Sequence, residues 1–245
     1  MKTKGFTLIE MVLTLVVGAI LVMGIAGFVE FGTKGYADSV ERQRLQTQAK
    51  FVLEKMTREI RHAVPNIFIQ QDNCLSFYSI RESGFYAVSG ANLNFIVGDE
   101  GIDANKLKPL TLVINPTELI GSSDSLADLD NVFSLSSVEE FTSPAVSGAT
   151  FSLVGAAHDL IGNSVAHRLY ITDGQPITYC LKNQRVERND QPLTDGGDGD
   201  FSVIGTLKYQ PATVQNSGIV HIDLSFSQGG ETSHYQQQVQ VLNVP

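Results

Sequence analysis

An unbroken apolar segment opens the chain. Residues 6–29 contain one charged residue, Glu10, and residues 11–29 contain none. As an α-helix the segment would be about 36 Å long at about 1.5 Å per residue, which exceeds the roughly 30 Å hydrocarbon core of a membrane. Lys2 and Lys4 precede it, and basic residues favour the cytoplasmic side. The pattern therefore predicts a single membrane-spanning helix whose following domain faces the periplasm.

A helical period of three and four residues follows over residues 36–64, which predicts the buried stripe of an amphipathic helix. Gly32 and Gly35 are expected to bend or locally melt the helix near the membrane, because a glycine costs about 1 kcal/mol relative to alanine. Pro65 is expected to end the helix. The stripe consists of Val40, Leu45, Ala49, Val52, Leu53, Met56, Ile60, Ala63 and Val64.

Short alternating apolar runs separated by Gly, Asn, Asp and Ser occupy the rest of the chain and predict strands. Asn183 and Gln184 separate two such runs and predict a two-residue hairpin. A long helix followed by antiparallel strands is an α+β architecture, in which the helix stripe packs on the sheet. The predicted strands are residues 74–80, 93–97, 110–114, 167–171, 177–182, 201–209, 219–226 and 235–242.

The position of Gly5 is unusual for a secretory signal. Ordinary signal peptides place small residues after the apolar core, whereas Gly5 precedes it in Lys4-Gly5-Phe6-Thr7-Leu8-Ile9-Glu10. This sequence resembles the class III leader of type IV prepilins. The resemblance implies that a prepilin peptidase cleaves after Gly5 and methylates Phe6, the new N-terminal residue.

Glu10 is costly inside an apolar span, and such a carboxylate marks a functional contact. The resemblance implies that Glu10 pairs with the N-terminal amine of Phe6 in a neighbouring pilin subunit. The alternative is a plain signal anchor in which Glu10 reaches the membrane interface.

Four parts are expected on this basis. They are a leader at residues 1–5, a transmembrane or filament-core helix at 6–29, an amphipathic helix at 30–65, and a β-rich head at 66–245. Residues 46–61, at the end of that helix, and the order of elements around them resemble the larger minor pilins, such as the O-type minor pilin of mannose-sensitive haemagglutinin pili, and the J-type pseudopilins of type II secretion.

The resemblance implies a structural minor pilin that acts in pilus priming or at the tip. Its partners would be other pilin subunits, prepilin peptidase, an inner-membrane assembly platform and, before assembly, membrane lipid. The chain would pass once through the inner membrane and later reach the pilus at the cell surface. The alternatives are a pseudopilin of a type II secretion system and a tip adhesin that binds a surface ligand.

Charge changes the picture in two ways. The net charge of −9 falls to −11 once Lys2 and Lys4 are removed, and an acidic chain is poorly suited to neutralising nucleic-acid phosphates. We therefore expect no nucleic-acid partner. The helix arginines are expected to be solvated surface residues, with pairing between subunits as the alternative. They are Arg42, Arg44, Arg58 and Arg61.

Cys74 and Cys180 are the only cysteines, and their spacing does not suit a metal site. A translocated domain lies in an oxidising compartment, where a bridge between them is plausible. Closing a loop of about 100 residues would contribute roughly 4–5 kcal/mol in the chain-entropy model. Two separate buried thiols are the alternative.

No catalytic constellation is evident, because the five histidines are scattered and no nucleophile motif or phosphate-binding loop occurs. We expect a protein that is not an enzyme and needs no cofactor. One segment offers candidate calcium ligands, because closely spaced carboxylates supply hard oxygen atoms. These are Asp195, Asp198 and Asp200, for which a flexible polar turn is the favoured interpretation.

Overall fold

The computed structural model describes residues 5–117, 120–121, 125–142, 148–162, 164, 166–196, 201–213 and 216–241. Its first element is helix α1 (Leu8–Arg61), which contains 54 residues and is about 81 Å long at about 1.5 Å per residue. Antiparallel strands follow it. The α+β prediction is confirmed.

Helix α1 differs from the prediction at two places. It continues without interruption through Gly32 and Gly35, so the predicted local melting is wrong; a cost of about 1 kcal/mol per glycine is small beside the cooperative helix on either side. The helix also ends at Arg61, and Ala63, Val64 and Pro65 begin a strand. The α conformation is disfavoured for Val64, because it precedes a proline. The helix therefore ends before the position at which Pro65 alone would stop it.

The strands are two to ten residues long. A short helix, α2 (Ala104–Leu107), lies between the fourth and fifth strands, and single 3₁₀ turns occur at Leu126–Asp128 and Ala156–His158. The strands are β1 (Ala63–Gln71), β2 (Cys74–Ser79), β3 (Glu82–Ser89), β4 (Asn92–Val97), β5 (Thr111–Ile114), β6 (Val132–Ser134), β7 (Glu139–Thr142), β8 (Ala149–Leu153), β9 (Arg168–Thr172), β10 (Pro176–Lys182), β11 (Arg185–Arg188), β12 (Gln191–Pro192), β13 (Ser202–Gln210), β14 (Ile219–Gln228) and β15 (Glu231–Gln240).

These strands form three sheets rather than one. The orders are β1-β2-β10-β11-β12, β13-β14-β15 and β6-β5-β9-β3-β4-β8-β7. The seven-stranded sheet is built wholly from chain that leaves β2 and returns to β10, while β2 and β10 pair directly with each other. The head is therefore a helix-bearing part with one large insertion.

The predicted hairpin is present between β10 and β11. Lys182 pairs with Arg185 across the turn, and Asn183 and Gln184 both have positive φ, at 51° and 57°. Positive φ at both central residues defines the type I′ turn, which suits the twist of a two-residue hairpin. All eight predicted strands have a counterpart in the structure, whereas β1, β3, β6, β7, β8 and β12 were not predicted.

The main core lies between the last part of α1 and the five- and three-stranded sheets. Leu45 is the first buried residue of α1, and Val40, which was assigned to the buried stripe, is exposed. The other residues of the predicted stripe are buried. The helix therefore has an exposed portion before Leu45 and a packed portion after it.

The insertion has a core of its own, made by one face of the seven-stranded sheet together with α2 and the loops around it. A smaller cluster joins the insertion to β1 and β2, with Val64 and Tyr78 on one side and Val113 and Tyr170 on the other. This third cluster fixes the insertion against the sheet that carries the helix.

The chain enters and leaves the insertion at one place. The backbone N–H of Arg81 donates to the carbonyl oxygen of Ile171 at 2.7 Å, and the Arg81 guanidinium lies 2.6 Å from a carboxylate oxygen of Asp173. The entry and exit strands are therefore tied together beside the β2–β10 pair.

The division of α1 can be tested by truncating one buried and one exposed side chain. Met56 is fully buried, whereas Phe51 is 54% exposed. We expect Met56→Ala to lower the free energy of unfolding by about 2–5 kcal/mol and Phe51→Ala to change it by less than about 0.5 kcal/mol. Denaturant unfolding of the full chain in detergent, followed by near-UV circular dichroism, measures both. Equal losses would contradict the observed packing.

Candidate processing and assembly site

The first turn of α1 is closed by a reciprocal pair of contacts. The backbone N–H of Glu10 donates to Oγ1 of Thr7 at 3.4 Å, and the backbone N–H of Thr7 donates to Oε2 of Glu10 at 3.1 Å. The Thr7 hydroxyl also donates to the same carboxylate oxygen, at 3.0 Å. This is a capping box, which satisfies N–H groups that have no partner inside the helix.

The capping box gives Thr7 a role that the sequence analysis missed. Its signal was present, because a threonine followed three residues later by a glutamate and an apolar run is the capping-box pattern. Glu10 is exposed, so its carboxylate is accessible at the surface of the chain while it caps its own helix.

The apolar side chains after Glu10 have no cover within the described chain. None of the most apolar stretch of this helix is buried. Phe6 is 87% exposed. The helix is long and apolar enough to cross a membrane, and an apolar surface of this size marks a contact with lipid or with other protein chains.

At the other end of α1 a polar cluster joins the helix to the sheet. Glu59 accepts a hydrogen bond from the Tyr179 hydroxyl at 2.8 Å and from Nε of Arg188 at 2.9 Å. The ammonium of Lys55, one turn earlier on α1, lies 3.1 Å from the other carboxylate oxygen of Glu59. Three donors, from α1, β10 and β11, thus converge on one partly buried carboxylate.

The ionisation of this cluster follows from those contacts. Burial on its own raises the pKa of Glu59, but the hydrogen bonds from Arg188, Tyr179 and Lys55 outweigh it and hold the pKa below its ordinary value. Burial, followed by the hydrogen bond to Glu59, raises the pKa of Tyr179. Glu59 is therefore ionised and Tyr179 is neutral at physiological pH.

Two further ion pairs hold α1 where it enters the head. Arg42 lies 2.6 Å from Glu231, and Arg44 lies 2.6 Å from Asp195. Both arginines are more than half exposed, as predicted, and each pairs with a carboxylate of its own chain. Exposed pairs of this kind contribute little to stability.

Of the three candidate calcium ligands, the structure describes Asp195. Asp198 and Asp200 lie outside the described residues. Asp195 accepts hydrogen bonds from Arg44 and from Nε2 of Gln48, each at 2.6 Å, and these contacts hold the pKa of Asp195 below its ordinary value. Within the described part of the chain no three acidic, histidine or cysteine side chains are grouped for metal binding. Calcium binding stays a prediction.

Cys74 and Cys180 form a disulfide. They face each other across the β2–β10 pair, with their Cα atoms 4.1 Å apart. The bridge therefore joins the two strands that flank the insertion, at the end of the pair far from Arg81 and Asp173. The sequence separation is 106 residues.

Comparison with known proteins bears on the N-terminal segment. Residues 1–26 match the family model described as the prokaryotic N-terminal methylation motif. No curated protein and no solved structure matches the chain. The match supports a leader of the type IV prepilin kind, and with it a type IV pilin-like or pseudopilin subunit.

The Glu59 cluster predicts a specific acid sensitivity. Because the pKa of Glu59 is lower in the folded chain than its ordinary value of 4.5, its contribution is complete above that value and is lost as the pH falls through the folded pKa. We expect Glu59→Gln to lower stability at pH 7 and to reduce the further loss of stability below pH 4.5. Urea unfolding between pH 7 and pH 3 measures this.

Glu54→Gln is the matched control for that experiment. Glu54 is on the same helix, is exposed, and lies 3.8 Å from Lys50. It should leave the pH dependence of stability unchanged. An acid limb that is the same in wild type and Glu59→Gln would contradict the role of Glu59.

Proposed function

We propose that this chain is a structural minor pilin of a type IV pilus of the mannose-sensitive haemagglutinin type. In this proposal prepilin peptidase removes residues 1–5 and methylates Phe6, and the exposed half of α1 then packs against sibling pilins. The subunit acts in pilus priming or at the tip. The observation that carries the proposal is a prepilin leader followed by an uninterrupted helix whose apolar half is uncovered.

The position of Glu10 supports assembly through the helix end. Its carboxylate lies in the first turn of α1, four residues after the residue that becomes the N-terminus, and contacts Thr7. Cleavage after Gly5 creates a positively charged amine on Phe6, and in an apolar environment such a charge requires a partner. In the assembled state Glu10 of one subunit pairs with that amine of the next.

Before assembly the same helix holds the subunit in the inner membrane, and the head lies in the periplasm. The disulfide between Cys74 and Cys180 supports this location, since disulfides persist in oxidising compartments. The acidic head remains outside the membrane while the apolar segment stays in lipid.

A pseudopilin of type II secretion is the second candidate. The methylation motif supports it equally, and the helix geometry is the same. The two candidates differ in the filament that contains the subunit, so co-purification of the chain with surface pili or with secretion pseudopili separates them.

Processing can be tested by mass spectrometry of the N-terminus. Expressed with an active prepilin peptidase, the chain should lose residues 1–5 and carry a methyl group on Phe6. Gly5→Val should remain uncleaved, whereas Gly35→Val, outside the leader, should be processed normally. An intact wild-type N-terminus beside a functioning peptidase would leave a signal-anchored protein as the better account.

Assembly can be tested with Glu10→Gln. Glutamine keeps the capping box with Thr7 and removes only the charge. Because removal of one partner from a buried ion pair costs roughly 3–5 kcal/mol, we expect the amount of subunit in sheared filaments to fall at least tenfold. Membrane insertion and leader cleavage should be retained.

Glu30→Gln is the control, because Glu30 is an exposed carboxylate on the same helix beyond the apolar segment. It should assemble like the wild type. Normal incorporation of Glu10→Gln into filaments would contradict the proposed pairing.

A further inference from the structure

A cavity lies where the insertion meets the sheet that carries α1. Its volume is about 100 Å³, and its wall combines β1 with segments of the insertion next to β5 and β6. Ile67 and Val113 are buried members of the third cluster, which joins the insertion to β1 and β2. The cavity is thus a gap in the packing between the two parts of the head. The aliphatic residues of its wall are Ile67, Val113, Pro116, Leu129 and Ile161.

Asparagine side chains hold the wall of the cavity in place. Nδ2 of Asn66 donates to the carbonyl oxygen of Pro116 at 2.8 Å. The amide of Asn131, which is buried, donates to the carbonyl oxygen of Ile161 at 2.9 Å and accepts from the Ile161 N–H at 2.7 Å. These bonds join segments that are 50 and 30 residues apart in the chain. The cavity is therefore preformed, as ligand sites usually are.

Three further polar residues line the cavity, namely Asn115, Thr117 and Asp130. Their side chains make no hydrogen bond or ion pair with the described part of the chain, so they are available to a ligand. Each of the three carries an oxygen atom that accepts hydrogen bonds. A few unpaired polar groups beside an apolar wall are the usual composition of a small-molecule site.

The composition of the wall restricts the chemistry of the ligand. No lysine, arginine or histidine is among the described residues that line the cavity, so an anion would meet the carboxylate of Asp130 without a compensating charge. None of these residues is aromatic either, so a sugar ring would have no aromatic side chain on which to stack. An aliphatic cavity with an exposed carboxylate instead suits an aliphatic chain that ends in a cation.

Size and charge favour the same ligand. A cavity of about 150 Å³ holds a benzene ring, so one of about 100 Å³ suits a thinner group, such as the four-carbon stem of a lysine side chain. An ammonium group has three N–H donors and no acceptor, which matches three side chains that each carry an acceptor oxygen. The whole chain has a net charge of −9, and an acidic protein attracts cations.

We propose that this cavity binds a primary alkylammonium group. The aliphatic stem packs against Ile67 and Val113, and the ammonium donates to side-chain oxygen atoms of Asn115, Thr117 and Asp130. Two sources present this chemistry, a lysine side chain of a partner protein and a free amine in the surrounding solution. The site lies in the head and is independent of leader cleavage and of assembly through α1, so its test and theirs can fail separately.

Saturation-transfer NMR of small ligands, with the full chain in a non-ionic detergent, tests the proposal. The probe is Nα-acetyl-lysine N-methylamide, whose backbone groups are blocked as they are inside a protein. The matched compound is Nα-acetyl-norleucine N-methylamide, which has an aliphatic side chain without the ammonium. At about 0.15 M salt, which screens long-range attraction to the acidic head, we expect the lysine compound to bind and the norleucine compound to bind at least tenfold more weakly.

Asp130→Asn tests the cavity itself, because it removes the charge and keeps a side chain of the same size. We expect the Kd of the lysine compound to rise at least fivefold, since hydrogen bonds to a charged group are stronger than neutral ones. Asp72→Asn is the matched control. Asp72 is exposed in the turn between β1 and β2, and its substitution changes the net charge equally. It should alter the Kd by less than twofold.

A third compound, n-butylamine, distinguishes the two sources. Binding of the lysine compound supports a lysine side chain of a partner, whereas binding of n-butylamine alone supports a free amine; binding of neither would overturn the proposal. Equal binding of the norleucine compound or of N-acetylglucosamine would also overturn it, because the cavity would then not select an ammonium group. So would equal losses in Asp130→Asn and Asp72→Asn, which would indicate general attraction to the acidic surface. An unchanged near-UV circular dichroism spectrum shows that each variant is folded.

Discussion

The structure depends on one unmet requirement: the apolar side chains of residues 6–29 have no partner in the described part of their own chain. In lipid a helix is stable because its backbone hydrogen bonds are all internal, and in a filament neighbouring helices can replace the lipid. The head must hold this helix without covering its apolar half. Accordingly, the first buried residue of α1 is Leu45, and the buried residues of the helix all lie from there onwards.

The head holds α1 most strongly along the part of the helix that is fully buried. Ala49, Met56 and Ile60 are fully buried against two sheets, and Glu59 adds a charge that is satisfied by donors from the helix and from β10 and β11. Removing any one donor would leave a partly buried carboxylate less well paired, which is costly. The cluster therefore also selects the rotation of α1 on the sheet, because a helix turned by one residue would move Glu59 away from Tyr179 and Arg188.

Sequence alone predicted the features that depend on local pattern. The helix stripe from Leu45 onwards, the turn at Asn183 and Gln184, and all eight strands with an apolar alternation are present in the structure. It missed β3, whose exposed Phe85 and Val88 blur the alternation, and β6 and β7, which are only three and four residues long. The division into three sheets and the cluster around Glu59 depend on pairings between distant residues, such as Glu59 with Arg188, and no local period encodes those.

The head has two parts, one that holds the helix and one formed by the insertion between β2 and β10. The core of the insertion contains no residue of α1, whereas the core that holds α1 is built from the other two sheets. The Arg81–Asp173 ion pair joins the two segments through which the chain enters and leaves the insertion, and the Cys74–Cys180 bridge joins the opposite ends of β2 and β10. A substitution inside the seven-stranded sheet can therefore alter the surface of the insertion without changing how α1 is held, because among the described residues the two parts are joined through the small apolar cluster beside Val64 and Tyr78. The part of the head that holds α1 and the insertion thus have separate cores.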